Sequence, residues 1–389
     1  MRSLGLVAGA AAMVTVAAGC AAIDDPTARG GASPSTTTPT SVPRPWPSAD
    51  PMPSPSATSA VMGPGEVAAP TVVETIATGL RSPWGLAFLP DGSALVSERD
   101  TGRIVQVGPG AVTPIGTVSD VAFGGEGGLL GLAVAETFAD DPYLYAYLTS
   151  PDGNRVIRMP LREGQLGTVE TVLEGIPSSR NHNGGRLAFG PDRMLYVTTG
   201  DARDSSLSQR PDSLAGKILR VTPDGQVPAD NPDPGSPVWS SGHRNVQGIA
   251  WDDEGHLWAS EFGDQTFDEL NLIAPGADYG WPSYEGSGGA GEGFTDPVVQ
   301  WPPDQASPSG IAVAERTVFM TGLRGQRLWA IPVGAGRAGS PEAFFVGELG
   351  RLRAIERAPD GSLWLVTNNT DGRGQPRAGD DRILRLAVD

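Results

Sequence analysis

The stretch GRLAFGPDRMLYVTTGD, residues 185–201, decides the fold. Two apolar runs flank a Gly-Pro-Asp turn, the pattern of a β-hairpin with one buried face. The phrase of glycine, aliphatic, alanine or similar, apolar, turn and second apolar-aromatic run recurs. Its other copies are WGLAFLPDGSALVSE (84–98), LGLAVAETFADDPYLYAYLT (130–149), QGIAWDDEGHLWASEFG (247–263), SGIAVAERTVFMTGLRG (309–325) and LRAIERAPDGSLWLVTNN (352–369). The copies are spaced roughly 45–60 residues apart, which leaves room for two further strands per unit. Four-stranded units repeated radially bury each other's faces. The expected fold is therefore all-β, a six-bladed β-propeller with four-stranded antiparallel blades. The last strand, RILRLAV (382–388), is expected to close the ring by pairing with the first blade. A β-sandwich or two small β domains is the competing architecture.

The chain ahead of the repeats has a different texture. MRSLGLVAGAAAMVTVAAGC carries Arg2, an apolar run and a small-residue end, the pattern of a secretory signal. Ala18-Gly19-Cys20 resembles a bacterial lipobox, with Ala17 where leucine is usual. Residues 1–20 are thus expected to be a signal peptide with lipobox, and Cys20 a lipidated anchor. The apolar run is shorter than the about 20 residues a transmembrane helix needs. Residues 21–70 are rich in Pro, Ser, Thr and Ala, and read as a disordered tether with a reach of at least roughly 35–40 Å. Residues 71–389 form the propeller. The expected location is extracytoplasmic, with contact to the membrane only through Cys20.

Composition narrows the function. The 389 residues carry a formal net charge of -17. Nucleic acid is excluded as a partner, because its binding rests on Lys and Arg neutralising phosphates. The single cysteine excludes an internal disulfide and a cysteine-based zinc site.

Hairpin geometry selects the polar residues. Residues equidistant from a turn lie opposite one another. With the turn centred between Pro191 and Asp192, His182 faces Asp201 at the open end. In the 247–263 hairpin Arg244 is opposite Gly263, and in the last hairpin Arg351 is opposite Asn369. If the hairpins line the channel in one sense, His182, Asp201, Arg244, Asn245, Arg324, Arg351 and Arg353 converge on one face. Arginines clustered in an acidic protein suggest an anionic ligand. His182 beside Asp201 is a base with an orienting carboxylate, although a structural histidine at a strand end gives the same pattern. His243 is either a funnel contact or a strand cap, and His256, just past a turn, faces solvent.

Seven segments, taken together, resemble the glucose/sorbosone dehydrogenase family: GEGGLLGLA (125–133), NHNGGRLAFGPD (181–192), SLAGKILRVTPDGQVPADNP (213–232), GHRNVQGIAWDDEGHLWASEFG (242–263), DELNLIAPGADYGWP (268–282), SPSGIAV (307–313) and RLRAIERAPDGSLWLVT (351–367). The resemblance spans about residues 75–388. It implies a quinoprotein sugar dehydrogenase on a six-bladed propeller, with pyrroloquinoline quinone (PQQ) and calcium as cofactors. It implies that His182 is the catalytic base, Asp201 its orienting partner, and Arg244 and Asn245 contacts of the quinone and the sugar. It places Glu126, Arg324, Arg351 and Arg353 at the quinone, and Gly263 and Asp264 as carbonyl ligands of its calcium. Glu269 and the Tyr279 carbonyl are candidates for a second calcium. The implied partners are a small sugar and an electron acceptor whose identity the sequence does not give. The implied reaction is oxidation of an aldose at the anomeric carbon to the lactone, with hydride passing to the quinone.

Four positions depart from the family pattern. Glu126 stands where a glutamine is usual, Arg324 where lysine is, Asp264 where proline often follows the glycine, and Asn368-Asn369 where an acidic residue is common. A carboxylate at 126 beside an anionic cofactor favours a second reading, a lipid-tethered binding module that has lost redox activity. A third, a calcium-dependent lactonase, calls for carboxylates and amides on the channel axis, and the arginine-rich funnel argues against it.

Overall fold

The computed structural model describes residues 63–108 and 110–388. Its strands form six antiparallel sheets, each running inner to outer in sequence order except at the outer edge of the last. The inner strands are Pro83–Phe88, Leu129–Val134, Leu187–Phe189, Val246–Trp251, Pro308–Ala314 and Leu352–Arg357, which head blades 1 to 6. Each packs against the next, and the sixth returns to the first, so the sheets form a ring. The six repeated hairpins are the two inner strands of the six blades. Helical structure among the described residues is limited to three short 3-10 turns.

These stretches become inner strands because their residues are buried on both faces, one against each neighbouring blade. Pro308–Ala314 and Leu363–Thr367 are buried along their whole length. The glycine of the repeat has a steric cause. A Cβ on Gly85 would lie 2.7 Å from the Leu130 carbonyl oxygen, and one on Gly131 would lie 2.2 Å from that of Gly185. Gly248 and Gly310 meet the same constraint from Ser309 O and the Ala354 backbone. The inner strands approach too closely for a side chain at this level.

Ring closure differs from the expectation. The last strand, Ile383–Val388, is the third strand of blade 6 and does not join blade 1. The N-terminal strand Pro70–Ala77 pairs antiparallel with it and supplies the outer strand of blade 6. The outer edge of Ile383–Val388 has free backbone N–H and C=O groups that need a partner, and Pro70–Ala77 supplies it, with Val72 and Thr75 opposite Leu386 and Leu384. The tether also ends earlier than expected. Ala68 is buried and donates its N–H to Thr317 Oγ1 at 3.3 Å, and Val67 packs on the same core, because this Val-Ala pair is apolar enough to dock. The leader, Cys20 and the tether through residue 62 lie outside the described residues. No described helix is long and apolar enough to cross a membrane.

The inner strands of blades 1, 2, 4, 5 and 6 each carry a register shift near the end away from the turn, as between Val246 and Gly248 or Leu352 and Ala354. Such bulges re-aim side chains at a rim. In blade 3 the ladder stops early, and residues 178–186 run as irregular backbone into the mouth of the channel.

Gly131→Ala should therefore destabilise the protein by roughly 1–3 kcal/mol in denaturant unfolding, the usual cost of overpacking. Gly108→Ala, with nothing within 4 Å of a new Cβ, should leave the midpoint nearly unchanged.

Candidate functional site

The mouth of the channel is built around His182. This residue has φ 60, a left-handed conformation rare outside glycine. Its neighbours hold it there. Asn183 is buried, with Oδ1 accepting from Asn154 Nδ2 (3.0 Å) and Ser179 N (3.1 Å), and its carbonyl accepts from Tyr147 OH at 2.8 Å. Gly184 N donates to Asn245 Oδ1 at 2.9 Å. A Cβ on Gly200 would lie 2.1 Å from the His182 carbonyl oxygen, so only glycine fits there.

His182 Nδ1 lies 2.7 Å from Asp201 Oδ1. The expected pairing of side chains is met, but not by ladder symmetry: the register centres on Asp192, one half-step from the expected turn, and His182 reaches Asp201 from irregular backbone beyond the end of the ladder. Arg203 N also donates to that oxygen (2.8 Å), and Trp281 Nε1 donates to Oδ2 (2.9 Å). Burial opposes ionisation of Asp201, yet these donors, with His182 first, outweigh it and hold the carboxyl below its usual range. An ionised Asp201 accepts the hydrogen bond of Nδ1–H and leaves Nε2 as the acceptor. Trp281 is a member of this group that hairpin symmetry could not find, because it enters from the loop after blade 4's third strand.

Arg244 completes the group. Its guanidinium lies 5.4 Å from the Trp281 ring centroid, and Nη2 reaches Asp264 Oδ1 at 2.8 Å. Its backbone N–H is held by Glu261, and its Nε is buried without a partner. An unpaired buried guanidinium N–H costs free energy unless an acceptor arrives, so this atom fits an oxygen of an anionic ligand. His243 is not a funnel contact. It is fully buried, with Nδ1 2.8 Å from Glu261, Nε2 2.8 Å from Ser240 Oγ, and its ring stacked on Tyr279. His256 is partly exposed beside Asp252.

Glu126 is not a lone repelling charge. Its Oε2 accepts from the His182 N–H at 2.9 Å, and Oε1 accepts from Asn181 Nδ2 and from Arg373 Nη1, both at 3.0 Å. Burial pushes its carboxyl up, but these donors together bring it below the usual carboxylate value. Arg373 comes from the loop after Leu363–Thr367, 247 residues along the chain, and no local pattern marks it.

The remaining arginines divide. Arg351 is bound by Asp371 Oδ2 (2.9 Å from Nη2), and with Arg373 lines a polar cavity of about 420 Å³. Arg353 is buried, donating to Gln247 Oε1 at 2.7 Å. The Asn368 amide oxygen, turned toward it, accepts from its Nε and Nη2 at 2.9 and 3.1 Å. Arg324 is exposed in a turn and makes no hydrogen bond with the group. Arg353 also shares the Trp84 ring with Arg186, their guanidinium carbons 5.6 and 4.5 Å from its centroid. Arg186 extends from blade 3 to Gln247 O in blade 4 (2.9 Å) and lies against Gly310 in blade 5, so it crosses the channel below the mouth.

The metal candidates fall in one region. Gly263, Glu269 and Tyr279 line a small cleft with Arg244. Glu285 Oε1 accepts from the backbone N–H groups of Asp264, Gln265, Thr266 and Phe267 at 2.5–3.1 Å, fixing the loop that presents the Gly263 and Asp264 carbonyls. Neither carbonyl accepts a hydrogen bond among the described residues, which fits them to an oxygen-seeking cation. The Asp264 carboxylate is committed to Arg244, so the extra carboxylate ligand that its sequence position offers is already engaged. Glu269 is buried, accepts from Gly286 N and Asn271 Nδ2, and is pushed up by burial and by Glu261. Asn271 Oδ1 beside them is buried without a partner. Tyr279 is buried, its hydroxyl donating to Leu272 O at 2.6 Å. No three acidic or histidine side chains converge on one point among the described residues.

The Glu126 geometry sets a pH test. A carboxylate whose folded pKa is depressed adds stability above its unfolded pKa of about 4.3, and that stability is lost as pH falls through the folded value. Glu126→Gln keeps the shape and removes the titration. Its unfolding free energy should fall less steeply than the wild type's between about pH 5 and 3, measured by denaturant titration at each pH.

Comparison with known proteins agrees with the resemblance. The Glucose / Sorbosone dehydrogenase model matches residues 80–384. The PQQ-bound aldose sugar dehydrogenase of Streptomyces coelicolor is 56% identical, with a TM-score of 0.82, covering 84% of this chain and 100% of its own. A putative oxidoreductase (glucose dehydrogenase) of Thermus thermophilus is 41% identical, with a TM-score of 0.76, over 82% of this chain and 100% of its own. The aldose sugar dehydrogenase YliI of Escherichia coli is 29% identical over 77% of this chain and 91% of its own length. With the match running through five of the six blades in full and the two inner strands of the sixth, the chain belongs to the glucose/sorbosone dehydrogenase family.

Proposed function

We propose that this protein is a PQQ-dependent quinoprotein that oxidises aldose sugars at the anomeric carbon, with calcium at the Gly263 and Asp264 carbonyls. The observation that carries this reading is the pairing of His182 with an ionised Asp201, beside the unpartnered Arg244 Nε. The similarity to a PQQ-bound aldose sugar dehydrogenase supports the cofactor.

When bound, PQQ supplies the two-electron acceptor for the oxidation of the sugar. The chain's own residues do the rest. His182 Nε2 accepts the proton of the sugar's anomeric hydroxyl, and Asp201 stabilises the imidazolium that results. Arg244, packed over Trp281, donates to an oxygen that gains negative charge. Asn245 spends Oδ1 on Gly184 N and keeps its amide NH2 for a ligand. Arg351 and Arg373 line the polar cavity and attract carboxylates. Loss of the proton from the C1 hydroxyl and of the C1 hydrogen with its electron pair gives the lactone. The lipid anchor at Cys20 and an extracytoplasmic acceptor complete the proposal, and they rest on the leader sequence. The binding-module alternative loses its main support, because Arg373 balances the charge of Glu126.

PQQ titrated into the purified protein should bind saturably with calcium and weakly after chelation, read from the quinone absorbance. Absence of binding at tens of micromolar overturns the reading. His182→Ala should bind PQQ normally and lose about 10²–10⁴-fold in kcat on aldoses. Activity that survives this change removes His182 from the base role.

A further inference from the structure

The channel has a second opening at its turn end, on the other side of the Arg186 plug. A cavity of about 860 Å³ lies there, with five blades contributing its walls. Val134, Phe189, Trp251 and Val313 occupy one equivalent position of the repeat in blades 2 to 5, and Phe88 occupies it in blade 1. Blade 6 places Glu356 at that position, alone among apolar counterparts.

Nothing among the described residues satisfies this carboxylate, since Glu356 makes no hydrogen bond or ion pair with any of them. The other charged side chains of the lining are paired: Glu136 with Arg193 at 3.7 Å, and Arg357 with Asp253 at 3.9 Å. Arg186 is the nearby counter-charge; its Nε is held by Gln247 O and its plane lies on the Trp84 face, its Nη2 is buried without a partner, and it forms no ion pair with Glu356. Glu356 is half-buried, and desolvation by the apolar walls pushes its carboxyl up to about 7, against the pull of Arg186. A half-buried acid with no bonded partner, set in an otherwise apolar cavity, marks a binding site for a cation.

We infer that the turn-end cavity is a second binding site, separate from the polar mouth, for a small organic amine with an apolar body. The ammonium group would donate to Glu356, and the aromatic walls of Phe189 and Trp251 suit both the apolar body and the cation. The charge of -17 on the whole chain favours entry of a cation.

Calorimetric titration of the full protein with benzylamine and with its neutral counterpart benzyl alcohol tests this. Benzylamine should saturate a single site and bind at least about tenfold more tightly than the alcohol. Glu356→Gln should abolish that preference, Glu356→Asp should retain it, and His182→Ala should leave it unchanged. Equal affinity for amine and alcohol, an unchanged amine affinity in Glu356→Gln, or no saturation would overturn the inference. Loss of the amine in His182→Ala would place it at the mouth and overturn it equally.

Discussion

The close approach of neighbouring inner strands is the constraint on which the rest of the structure depends. At Gly85, Gly131, Gly248 and Gly310 the next strand's backbone occupies the space of a Cβ. This contact fixes the ring and makes the six inner strands run in one sense around the axis. All six hairpin turns then lie at one end and all six open ends at the other. Blades 3 and 6 depart from glycine at this level, with Arg186 and Arg353. Two guanidinium groups enter where glycines leave room, and they meet at Trp84 of blade 1. Their stack closes the channel midway and divides it into two compartments.

The two compartments differ in chemistry because the ladders end differently. At the mouth the strands fray through bulges and left-handed residues, so backbone N–H groups and polar side chains bond to one another. His182 is held there by Glu126, Asp201 and Asn183 in a conformation that its own preferences disfavour. At the turn end the ladder is regular and its side chains are apolar, and Glu356 is the exception.

Charge at the mouth is balanced by groups distant in sequence. Glu126 meets Arg373, Arg351 meets Asp371, and Arg244 meets Asp264. The acid at position 126 thus does two things that a glutamine would do less well. It accepts the His182 N–H as a charged acceptor, and it ties the loop before blade 2 to the loop of blade 6. Arg244 keeps one buried donor in reserve, the feature of the mouth that most directly asks for a ligand oxygen.

The sequence by itself determined the blade count and the two inner strands of every blade, and it brought His182 near Asp201 at the open end of one hairpin, although the contact itself is made by irregular backbone beyond the ladder. It could do so because hairpin pairing is local and its period is two. The symmetric positions about a turn are countable without knowing the fold. The sequence did not determine which strand closes the ring, since the pairing of Pro70–Ala77 with Ile383–Val388 joins the two ends of the propeller and follows from a strand edge whose backbone needs a partner. It also left open the partners of Glu126, Asp201 and Glu356. Arg373 and Trp281 bond to the first two from other blades and loops, along side chains whose directions only the assembled ring sets, whereas Glu356 feels the charge of Arg186 and has no bonded partner. Local pattern places a residue on a strand, whereas the charge it meets there is decided by the neighbours that ring closure brings.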